Sequence, residues 1–67
     1  MTPAQWRLAR QIPAMVEAEN ALTEQQLVGM LDADHADVHA AVGMLIGRRK
    51  IDRAGDYLVP SQPGRAA

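Results

Sequence analysis

The chain has 67 residues, a formal net charge of −1 and no cysteine. That length allows one small domain, which buries only about 60% of the surface its unfolded form exposes. The lack of cysteine excludes a disulfide framework and thiolate metal sites, and makes a reducing cytoplasm the expected compartment.

Thr2-Pro3-Ala4-Gln5 reads as a helix start: Thr2 is the N-cap, Pro3 takes the first helical position and Gln5 closes a capping box. Trp6, Leu8, Ala9, Ile12, Met15 and Val16 then recur at helical spacing. Pro13 cannot donate to the carbonyl of Ala9, so this first helix, 3–19, is expected to kink or split there. It should end at Asn20, a residue that tolerates the left-handed backbone of a helix terminus. Ala21-Leu22-Thr23 is too short for a helix. Thr23-Glu24-Gln25-Gln26 repeats the capping-box pattern and opens a second helix, 24–32, which is expected to bury Leu27, Val28, Met30 and Leu31. Asp32-Ala33-Asp34 supplies turn chemistry, with Asp34 as N-cap of a third helix, 35–48. That helix should bury Val38, Ala41, Val42, Leu45 and Ile46.

From here the apolar period changes from 3.6 to 2. Ile51 and Arg53, then Asp56 to Val59, read as two strands of a hairpin over about 50–60, turning at Ala54-Gly55 and ended by Pro60. The domain is expected to span 1–60, with 61–67 as a disordered tail lacking large apolar residues. Twelve of the 32 apolar residues are Ala, leaving twenty larger side chains for the core. Trp6 is expected to cap that core by packing on the hairpin, where Tyr57 would meet it; if exposed, it would mark an interaction surface instead. No apolar run approaches the roughly 18 residues of a membrane span, and the N-terminus lacks the pattern of a signal peptide. A soluble protein without a membrane partner is expected.

Charge is unevenly placed. Residues 1–47 carry two cations, Arg7 and Arg10, against six carboxylates, a net of −4; residues 48–53, Arg-Arg-Lys-Ile-Asp-Arg, carry +3. Such a segment suits a phosphate backbone, and equally suits a solvated helix end whose cations complement the macrodipole.

Three helices, a short extended segment between the first two and a terminal hairpin are the order of a winged helix-turn-helix domain. The chain resembles the bacterial type most closely from Leu27 through Leu31-Asp32-Ala33-Asp34 to Val38, Val42 and Leu45, and on through Lys50-Ile51 into the hairpin. The resemblance spans roughly 5–60 and implies a mainly α fold with a small two-stranded wing. It also implies DNA binding, typically in transcription regulation, with the third helix in the major groove and the hairpin beside it. Protein–protein contact is the alternative role. Two features depart from the pattern: Asp32 stands where Gly is usual, and the wing tip is short.

On that reading Arg48, Arg49, Lys50 and Arg53 are the candidate phosphate contacts, with Arg7 and Arg10 as auxiliaries, and His35 and His39 are the groups near base edges. The outward face of the third helix is otherwise bare: Ala36, Ala40, Gly43 and Gly47, flanked by Met44 and Asp37. Base edges are read by hydrogen bonds, so this face also suits close approach of a partner helix or a second copy of the chain. His35 and His39 stand at i and i+4, a pair that is incomplete as a metal site; they are read as surface histidines, with no metal and no cofactor. No nucleophile with its base can be assembled and no phosphate-cradling Gly loop is present. The expected protein is a binding module, not an enzyme, and it has no small-molecule substrate.

Overall fold

The computed structural model describes residues 1–61; the predicted tail therefore lies, beyond Ser61, outside the described residues. Helix α1 spans Pro3–Glu19, α2 Glu24–Leu31 and α3 His35–Gly47, followed by strands β1, Ile51–Ala54, and β2, Tyr57–Pro60. This is a winged-helix-like layout, mainly helical with one antiparallel hairpin.

Both expected capping boxes form. The Gln5 N–H donates to Thr2 Oγ1 at 3.2 Å while Thr2 N–H donates to Gln5 Oε1 at 3.1 Å, and Gln26 and Thr23 exchange the same pair at 3.0 and 2.8 Å. Each satisfies two backbone or amide groups that a helix start leaves open. Asp34 occupies the N-cap of α3, but its side chain makes no capping hydrogen bond. Helix α1 runs through Pro13 as one element. Leu8, Ala9, Ile12 and Val16 are buried on both sides of the proline, and burial of that stripe offsets the roughly 3 kcal/mol that a mid-helix proline costs.

Asn20 closes α1 and Asp32 closes α2, both left-handed, at φ 67° and 51°. The Asp32 turn lets the Ala33 N–H reach the Val28 carbonyl at 3.3 Å. Helix α3 then packs across α1 and α2, with Val38, Ala41 and Val42 fully buried beside Leu45. Ile46 is only half-buried. Met30, expected in the core, is 52% exposed. In an eight-residue helix the buried stripe is narrow, and Leu27 alone is fully buried there, with Val28 and Leu31 at its edges.

The hairpin pairs Ile51 with Pro60, Asp52 with Val59, Arg53 with Leu58 and Ala54 with Tyr57. Its turn residues are Gly55 and Asp56, one position later than expected, with Gly55 at φ 64°. A glycine at the first central position of a two-residue hairpin turn accepts that positive φ without a Cβ clash. Pro60 belongs to β2, at its end, where the missing N–H breaks no central ladder. Leu22 adds a one-residue third strand: its N–H donates to the Leu58 carbonyl at 3.0 Å and its carbonyl accepts from the Leu58 N–H at 2.6 Å. Leu22, Ile51 and Leu58 are buried there, which ties the wing to the helices.

Candidate nucleic-acid interface

Helix α3 ends in a double reverse bond. The Lys50 N–H donates to the Leu45 carbonyl at 2.9 Å and the Arg49 N–H to Ile46 at 3.0 Å, the pair that defines a Schellman terminus. This motif needs a left-handed residue in its middle, and Arg49 supplies it at φ 59°. The tight reversal turns Arg48, Arg49 and Lys50 outward at the junction of α3 and the wing. All three are exposed, and among the described residues none pairs with a carboxylate.

Arg53, grouped with them by sequence, is engaged elsewhere. Its guanidinium donates to Glu24 Oε2 at 2.9 Å, and the other carboxylate oxygen, Oε1, lies 2.9 Å from His39 Nδ1 and 3.3 Å from His35 Nε2. A carboxylate accepts only, so both ring nitrogens act as donors to it. Three side chains from two elements, α3 and β1, thus converge on the first residue of α2, whose side chain is 14% exposed. Burial pushes the Glu24 carboxyl up, but hydrogen bonds from Arg53 and His39, the charge of His39 and the bond from His35 together hold it below the usual range. His35 and His39 remain exposed, their rings edge to face with centroids 6.5 Å apart. Glu24 was visible in the sequence only as the acidic first-turn residue of a capping box; nothing in the linear order connects it to positions 35, 39 and 53.

The outward face of α3 is as bare as expected. Ala36, Gly43 and Gly47 are exposed and Ala40 is half-buried, while Met44 leans against the core. A Cβ placed at Gly43 or Gly47 meets no atom within 4 Å. Asp37 is half-buried, accepting from Gln5 Nε2 at 3.0 Å.

Trp6 does not cover the hairpin. It is 41% exposed and Tyr57 is 50% exposed. The Trp6 ring instead carries the Arg48 guanidinium 5.6 Å from its centre, within cation–π range. The reason lies in the helical phase: Leu8, Ala9, Ile12 and Val16 define the buried stripe of α1, and Trp6 falls beside it. Pro3, Trp6, Arg7 and Arg10 line a shallow concavity of about 410 Å³. Packing of α1 on α3 therefore joins the two cations of the N-terminal region to the basic segment that follows α3.

No family model matches this chain, and no curated protein or solved structure matches it significantly. Among the described residues, no helix is long and apolar enough to cross a membrane.

Proposed function

We propose that the protein is a non-enzymatic winged-helix module that binds duplex DNA, gripping phosphates through Arg48, Arg49 and Lys50. The observation that carries this reading is the Schellman turn, which presents three consecutive cations, exposed and free of carboxylate partners among the described residues, where α3 meets the wing. Phosphate contacts fix position and carry no sequence information. The bare α3 face, with His35, His39 and the half-buried Asp37 as the polar groups beside it, fits binding with weak base readout, as in an accessory DNA-binding factor.

Binding of a labelled random-sequence duplex across a salt series tests this. Each phosphate contact contributes about −0.9 to the log–log slope, so Arg49→Ala with Lys50→Ala should flatten it by roughly 1.8. An unchanged slope would remove the segment from the interface.

A second reading is favoured by Gly43 and Gly47. A glycine in the helix interior, as at Gly43, costs up to about 1 kcal/mol relative to alanine, and the open space around it and around Gly47, the last residue of α3, gives no reason within the chain for their small size. On that reading the face receives a second copy of the protein or a partner helix.

A further inference from the structure

We propose that Trp6 and the arginines around it form a stacking site for single-stranded nucleic acid. This goes beyond the duplex reading, with which it shares Arg48 and the auxiliary cations Arg7 and Arg10 but neither Arg49 nor Lys50. Three observations converge. Trp6 is 41% exposed at the edge of α1, although burial of so large a ring is the most favourable use of it in a domain this small. Arg48 lies over the ring, 5.6 Å from its centre, so the aromatic surface is held beside a cation. Arg7 and Arg10 flank the ring in one concavity, and neither pairs with a carboxylate among the described residues.

A partly exposed ring with one guanidinium over it and two arginines in the adjoining concavity matches the two repeating parts of a single strand. The base offers a π face to Trp6, and the phosphates on either side meet arginines. In a duplex the bases are already stacked on one another, so the ring has no free face to meet and only the charges act. An acidic peptide satisfies the charges too, but presents no planar group for the ring. The chemistry therefore selects a single strand over both.

Trp6 is the only tryptophan of the chain, so its own emission reports on the site without a label. The full chain would be titrated at low salt with oligothymidylate, with a duplex of equal length and with polyglutamate, at matched charge concentration. The expected result is saturable quenching by oligothymidylate, with little change from the other two. In anisotropy titrations with end-labelled strands, Trp6→Ala should weaken single-strand binding roughly 5- to 100-fold. Trp6→Phe should restore most of that loss, and duplex affinity should be unaltered. Far-UV circular dichroism on both variants separates loss of binding from loss of fold. Equal quenching by polyglutamate, equal sensitivity of duplex and single strand to Trp6→Ala, or absence of oligothymidylate binding overturns the site. Failure of the duplex reading shows separately, as an unchanged salt slope in the Arg49 and Lys50 variant.

Discussion

Arg49 holds a left-handed backbone, φ 59°, at the one position of the α3 terminus where a glycine costs least. For an L-residue that conformation costs about 1–2 kcal/mol, partly returned because a glycine would also loosen the unfolded chain. Arg49→Gly is therefore expected to stabilise the protein by about 0.5–1 kcal/mol, seen as a rise of a few degrees in melting temperature. The same substitution should weaken duplex binding, so stability and affinity move in opposite directions. A fall in melting temperature would mean that the Arg49 side chain makes a stabilising contact. Asn20 and Asp32 close the other two helices in the same left-handed region, and their short polar side chains tolerate it better than arginine does.

Helix α3 has two unlike faces. Val38, Ala41, Val42 and Leu45 build the core, and the opposite side presents Ala36, Gly43 and Gly47. The two uses of this outward face differ in sign. If the face is idle, Gly43→Gln with Gly47→Gln gains helix propensity, up to about 1 kcal/mol in total, and leaves assembly unchanged. If a second copy docks there, the added side chains block close approach, and a concentration-dependent dimer of the natural chain is lost. Sedimentation of both proteins at several concentrations decides between them; a natural chain that stays monomeric throughout sinks the homodimer reading. Helix α1 has a comparable division, with a buried stripe continuous through Pro13 and Trp6 set beside it, facing Arg48.

Over the whole molecule, Glu24 is the point at which α2, α3 and β1 are joined by charge. Its carboxyl titrates below the usual glutamate range, for which the unfolded value is about 4.3. Between the lowered folded value and that figure the unfolded chain binds more protons than the folded one, so stability rises with pH across this window. The contribution is complete above about pH 4.3 and is lost as pH falls through the folded value. Glu24→Gln should cost on the order of 1 kcal/mol at neutral pH, or about 4–8 °C in melting temperature. The gap between the natural protein and this variant should close as the medium is acidified below pH 4. A gap that is the same at neutral pH and at pH 3 would show that the network contributes nothing through charge.

The elements themselves were legible in the linear order. Thr-x-x-Gln boxes mark the starts of α1 and α2, Asn20 and Asp32 mark their ends, and the change of apolar period after Ile46 marks the wing, because caps and periodicity are local properties of a few adjacent residues. Local rules failed where neighbours far along the chain decide. Pro13 forecast a kink or a split, and the split does not occur, because burial on both sides carries α1 through it as one element; Met30 fits an apolar pattern, yet an eight-residue helix has room for little of it inside. The candidate surface was only half visible. Arg48, Arg49 and Lys50 stand together in the sequence and remain together in space, whereas Arg53 leaves them for Glu24, and Arg7, Arg10 and Trp6 join them from forty residues away. Composition and spacing determine which helices form and which faces are apolar. Which charges pair and which stay free depends on side chains that meet only when α1 crosses α3 and the wing folds back on Leu22, and that is a property of the tertiary structure alone.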